Sequence, residues 1–137
     1  VTHENETTKR RTILVVDDDA DLLKVAIRVL KLHGYDVIGA TSCEDAIGLI
    51  ERHDVDLLLT DVKMPGMDGD ELGARMGVAH PDLRILFTSG NPLQVLAPAN
   101  GDAANSIERK NFIEKPYAMS ELARRVEEVF ATDPPAH

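Results

Sequence analysis

The sequence predicts an α/β fold in one domain, a five-stranded parallel sheet with helices on both faces. Three observations predict it. Short apolar runs alternate with helix-period patterns, as a repeated strand–helix unit does. The apolar runs are continuous rather than alternating, which strands buried on both faces require. The length of 137 residues suits a single domain, and a chain of that size buries about two-thirds of its unfolded surface without disulfide staples.

Each element has its own signal. Ile13-Leu14-Val15-Val16 is a β-branched run and the first strand. Ala20 to His33 places Leu23, Ile27 and Leu30 on one helical stripe, with Asp19 as the best cap and Gly34 as the stop. Tyr35 to Ala40 is the second strand. Thr41-Ser42-Cys43-Glu44 has the pattern of a capping box and opens a helix to about Arg52. Leu57 to Thr60 is the third strand. Asp68, with Glu71 three residues on, caps a helix to about Val78. Arg84 to Thr88 is the fourth strand, and Phe112-Ile113-Glu114 a short fifth. Met119 to Phe130 closes the domain as a helix with Leu122, Val126 and Val129 on one stripe. Between the last two strands, Pro92, Pro98 and Asn100-Gly101 argue for a short or irregular fourth helix and a mobile loop. The expected organisation is a flexible tail over 1–11, the domain over 12–131 and a second tail over 132–137, where Pro134-Pro135 cannot continue a helix.

Composition narrows the function. Fifteen basic and 24 acidic residues give a net charge of −9, which argues against gripping a phosphate backbone. The basic run Lys9-Arg10-Arg11 is too short to change that and reads as part of a solvated tail. No apolar run approaches the roughly 18 residues of a membrane span, and no signal-peptide pattern opens the chain. The single cysteine, Cys43, excludes an internal disulfide and fits a reducing, cytoplasmic setting. His33 and His53 fall at expected helix ends, where the dipole favours them, and none of the five histidines has ligand spacing.

In open parallel sheets, ligands bind beyond the carboxyl ends of the strands. There the sequence places Asp17-Asp18-Asp19, Thr60-Asp61, Thr88-Ser89 and Glu114-Lys115-Pro116. Carboxylates held together repel unless a cation sits among them. An oxygen-preferring ion with few protein ligands and several waters is Mg²⁺ rather than Ca²⁺.

This pattern resembles the receiver domain of two-component response regulators, over about Thr12 to Phe130. Its carriers are Val15-Val16-Asp17-Asp18, the run Asp61-Val62-Lys63-Met64-Pro65-Gly66-Met67-Asp68-Gly69, Thr88-Ser89 and Lys115-Pro116. The resemblance implies a flavodoxin-like (βα)5 domain with strand order 2-1-3-4-5. It implies that Asp61 accepts a phosphoryl group from a phosphohistidine on a sensor histidine kinase or histidine phosphotransfer protein. Asp18, Asp61 and the Lys63 backbone carbonyl would then ligate Mg²⁺, with Asp17 acting through a water. Thr88 would bond a phosphoryl oxygen, Lys115 would reach back to the phosphoryl group, and Phe112 would be the switch aromatic. The Lys115-Pro116 bond would be cis. Lys63 and Gly90 match positions that tune acyl-phosphate lifetime.

The expected role is a signalling switch rather than an enzyme, though one that assists its own phosphorylation and dephosphorylation. It would act through protein–protein contacts with a downstream protein target, with no nucleic acid and no membrane, and the resemblance admits a homodimer. A short fourth helix resembles receivers attached to hybrid sensor kinases, so both a stand-alone regulator and a part of a larger kinase fit.

Three other readings compete. A haloacid-dehalogenase-type phosphatase would use Asp17 as nucleophile, but Asp21 stands where its pattern has Thr or Val. A phosphorylation-independent docking module would have lost acidic residues that this chain keeps. A calcium loop built on Asp17, Asp19 and Asp21 fails because Leu22 and Arg28 occupy its Gly and Glu positions.

Overall fold

The computed structural model describes residues 10–63, 69–90 and 112–131. Its elements are β1 (Thr12–Val16), α1 (Ala20–Leu32), β2 (Asp36–Ala40), α2 (Cys43–Arg52), β3 (Leu57–Asp61), α3 (Gly69–Ala79), β4 (Arg84–Ser89), β5 (Phe112–Glu114) and α4 (Met119–Phe130). The five strands form one parallel sheet in the order β2-β1-β3-β4-β5. The expected cap Asp68, the loop residues Met64 and Met67, and the irregular stretch from Asn91 to Lys110 lie outside the described residues.

The continuous apolar strands fill two cores, because successive side chains point to opposite faces. On one face Ile13, Val15, Leu57, Leu59 and Leu86 meet Leu23, Ala26 and Leu30 of α1 and Leu122 and Val126 of α4. On the other, Leu14, Val16 and Leu58 meet Ala46 and Ile50 of α2 and Leu72 and Met76 of α3. Fully burying one such side chain contributes about 1.5–3 kcal/mol. The central strands β1 and β3 are packed on both faces, which fixes where their carboxyl ends lie.

The helix ends follow the local chemistry. Asp19 caps α1, its carboxylate accepting from the N–H groups of Asp21 and Leu22. His33 is the C-cap, with its Nδ1 3.0 Å from the Val29 carbonyl, and Gly34 follows at φ +97°. That left-handed backbone favours glycine. The cap of α2 is Ser42, one residue later than Thr41, the first residue of the expected capping box. Its Oγ accepts from Asp45 N–H at 3.2 Å. Cys43, Ala46 and Ile50 form the buried face of this helix.

At the amino edge of the sheet, Arg10 and Arg11 make tertiary contacts. Arg10 pairs with Asp36 at 3.4 Å. The guanidinium of Arg11 lies 4.7 Å from the centre of the Phe130 ring, which also meets Tyr35 at 5.5 Å. These contacts tie the start of β1 to the end of α4.

Candidate functional site

The sheet brings its carboxyl-end residues to one place. Asp17 follows β1 and is 4% exposed. Its backbone N–H donates to Ala40 of β2, and its Oδ1 accepts from Asp19 N–H at 2.9 Å. Asp61 ends β3 and is 9% exposed. Parallel register sets it beside Thr88 of β4, which is buried. Lys115 follows β5, tied to β4 through its N–H on Ser89, and its bond to Pro116 is cis.

Lys115 joins these elements. Its Nζ donates to Asp17 Oδ2 at 2.9 Å and to Asp61 Oδ2 at 3.0 Å. These charge-assisted bonds link β1, β3 and β5 across the strand ends. Asp17, expected to act through a water, thus takes the ammonium directly. Burial pushes the Asp61 carboxyl above its usual value, and the Asp17 charge adds to this. The bond and charge of Lys115 and the Lys63 N–H, 3.4 Å from Asp61 Oδ1, oppose the rise without cancelling it. Burial alone would lower the Lys115 ammonium, but its bonds to Asp17 and Asp61 outweigh it and hold the group above its ordinary range.

One carboxylate oxygen from each of Asp17, Asp18 and Asp61 falls within 4.8 Å of the others. Oxygens sharing one Mg²⁺ at about 2.1 Å lie at most about 4.2 Å apart. Neighbouring ligands on an octahedral ion sit closer, about 3.0 Å apart, so the set would close by up to about 1.8 Å or hold one member through a water. One ammonium facing three carboxylates leaves net negative charge on hard oxygens, and Asp18 opens to solvent for water ligands. The residues present fit the ion.

Phe112 is not part of this cluster. It lies 6% exposed in a small separate cluster with Val62 and Phe87, and its strand partner is Phe87, the residue before Thr88. Two neighbours of the site are given no functional role by the sequence, Tyr117 being expected there only as a packing or surface-contact residue. Thr60 is fully buried, and its Oγ1 donates to the Asp61 carbonyl at 3.0 Å; a hydroxyl immediately before the strand-end Asp is its only sequence signal. Tyr117 packs on the α1–α4 core with its hydroxyl pushed up by burial and by the nearby Asp17 and Asp61 charges.

A family model described as the response regulator receiver domain matches residues 13–127. The chain belongs to this family. The receiver domain is 31% identical over 119 residues to the response regulator receiver protein CpdR of Brucella abortus, covering 87% of this chain and 96% of that protein. It is 32% identical over 123 residues to the sensor kinase CckA of the same organism, covering 86% of this chain but only 12% of the kinase. A solved CheY-like receiver domain from Methanospirillum hungatei superposes with a TM-score of 0.76 at 26% identity, covering 88% of this chain and 93% of that one. The expected fold and family are both borne out. Among the described residues, no helix is long and apolar enough to cross a membrane.

Proposed function

We propose that this receiver domain is a phosphorylation switch in which Asp61 accepts a phosphoryl group from a phosphohistidine. The observation that carries the proposal is the Lys115 ammonium 3.0 Å from Asp61 Oδ2 at the end of the central strand. An Asp61 oxygen attacks phosphorus and the phosphorus–nitrogen bond breaks. Its electron pair stays on the imidazole, which takes up a proton. A carboxylate approaching an anionic phosphoryl group meets repulsion, and Lys115 offsets it while stabilising charge on the phosphoryl oxygens. Mg²⁺, held by Asp18, Asp61 and the Lys63 carbonyl with Asp17 alongside, supplies further charge neutralisation when bound. Hydrolysis of the acyl phosphate resets the domain.

Thr88 neighbours Asp61 in register, so its hydroxyl is suited to bond an arriving phosphoryl oxygen. Phe112, buried beside Phe87, is the matching switch aromatic, and phosphorylation would bias its two-state equilibrium. Asp17 is a poorer nucleophile than Asp61, since each of its oxygens already accepts a bond shorter than 3 Å, from Asp19 N–H and from Lys115.

The donor class is a cytoplasmic sensor histidine kinase or histidine phosphotransfer protein, and the output is an altered protein–protein contact. Intact mass after incubation with phosphoramidate tests the proposal, with and without Mg²⁺. One Mg²⁺-dependent phosphoryl adduct on the wild type, absent from Asp61→Asn, is expected. An adduct of equal yield on Asp61→Asn would overturn it.

A further inference from the structure

We infer that Thr60 is a positioning residue for the phosphoacceptor, acting through the Asp61 backbone carbonyl. The inference rests on the role proposed for Asp61 and assigns a new residue to that site. Asp61 is the last residue of β3, and past it the Val62 N–H still ties the chain to the Thr88 carbonyl of β4. The carbonyl of that same peptide is held from two further sides. From below, the Thr60 hydroxyl donates to the Asp61 carbonyl oxygen at 3.0 Å. From above, Gly69 at the start of α3 packs on the same oxygen so closely that a Cβ there would lie 1.9 Å from it and 2.8 Å from Thr60 Oγ1. The Gly69 N–H then closes on the Val62 carbonyl at 2.7 Å, while the Val62 N–H bonds Thr88 of β4 at 2.9 Å.

The consequence is geometric. The orientation of the Asp61 carbonyl sets where the next two residues run. It therefore sets the Lys63 N–H that approaches Asp61 Oδ1 at 3.4 Å. A peptide tilted at this point would carry the Lys63 N–H away from Asp61 Oδ1 and loosen the carboxylate that faces Lys115. Thr60 itself is fully buried and faces the α2–α3 core. A valine of the same shape would fill that space without a hydroxyl. A purely packing role thus predicts that the hydroxyl is dispensable, whereas a positioning role predicts that it is required.

The test compares wild type, Thr60→Val, Thr60→Ser and Asp61→Asn by intact mass, as the rate of phosphoramidate labelling at saturating Mg²⁺ and donor. Circular dichroism checks that each variant is folded. Thr60→Val is expected to slow labelling about tenfold, as small misplacements of a reacting group do. Thr60→Ser, which restores only the hydroxyl, is expected to return the rate to within about twofold of wild type. Wild-type rate in a folded Thr60→Val overturns the inference and leaves the role of Asp61 standing. Equal slowing in Thr60→Val and Thr60→Ser also overturns it, since the lost methyl rather than the hydroxyl would then matter. Labelling of Asp61→Asn equal to wild type removes the phosphoacceptor reading and this inference together.

Discussion

Replacing Lys115 by methionine, which keeps the length and apolar stem of the side chain, isolates the charge that holds the site. Lys115 lies 2.9 Å from Asp17 and 3.0 Å from Asp61, with side chains 20%, 6% and 12% exposed respectively. At an effective dielectric of about 20, each contact is worth about 5.5 kcal/mol of Coulomb energy. Desolvating the ammonium offsets much of that. Breaking a fully buried pair costs about 3–5 kcal/mol, because it leaves a buried charge uncompensated. Here Lys115 retains some water, and Asp61 can take up a proton instead, its carboxyl already being raised by burial. The expected loss at pH 7 is therefore about 2–3 kcal/mol, or on the order of 10 °C in Tm.

The pH dependence has a definite sign. The folded pKa of Lys115 lies above its ordinary 10.5. Its contribution is thus fully present below 10.5 and lost as pH rises through the folded value. On the acid side the contribution fades as Asp61 protonates. The assay is urea denaturation of metal-free protein across pH. A loss below about 0.5 kcal/mol at pH 7, or one that stays constant as pH falls through the carboxylate range, would refute the reasoning.

Asp61→Asn is expected to gain stability on the wild type as pH rises. The wild-type carboxyl is raised above its ordinary 3.8, so its contribution is fully present below 3.8 and lost as pH rises through the folded value; denaturation curves at acid and neutral pH check this. Leu122→Ala removes a fully buried side chain from the α1–α4 core and is expected to cost about 2–5 kcal/mol by urea denaturation. Ser42→Ala removes the α2 cap and is expected to cost about 1 kcal/mol, whereas Thr41→Ala should cost a few tenths at most. Gly69→Ala forces a Cβ against the Asp61 carbonyl and is expected to lower Tm, with a loss of about 1–3 kcal/mol.

The central strands β1 and β3 were legible because each carries a continuous apolar run, and burial on both faces is what such a run signals. Asp19 was legible as a cap because it stands directly before a clear helical stripe. The α2 cap was displaced by one residue because two adjacent hydroxyls, Thr41 and Ser42, precede two adjacent acids, Glu44 and Asp45. Local chemistry allows either pairing, and the structure takes Ser42 with the Asp45 N–H. The acidic cluster could be placed because parallel topology gathers strand ends. The direct bond between Lys115 and Asp17 spans 98 residues of sequence and is settled only when β5 docks. Thr60 reads as an ordinary β-branched strand residue until the carbonyl it serves is in view. Likewise, the basic run Lys9-Arg10-Arg11 gives no hint that Arg10 meets Asp36 or that Arg11 covers Phe130.

The central claim is that Asp61 itself carries the phosphoryl group. Borohydride reduces an acyl phosphate to the alcohol, so an aspartyl phosphate becomes homoserine and its position is marked permanently. Protein labelled with phosphoramidate and Mg²⁺, then reduced, digested and mapped by peptide mass spectrometry, is predicted to show homoserine at position 61 and aspartate at 17 and 18. Homoserine at 17 with intact aspartate at 61 would contradict the account.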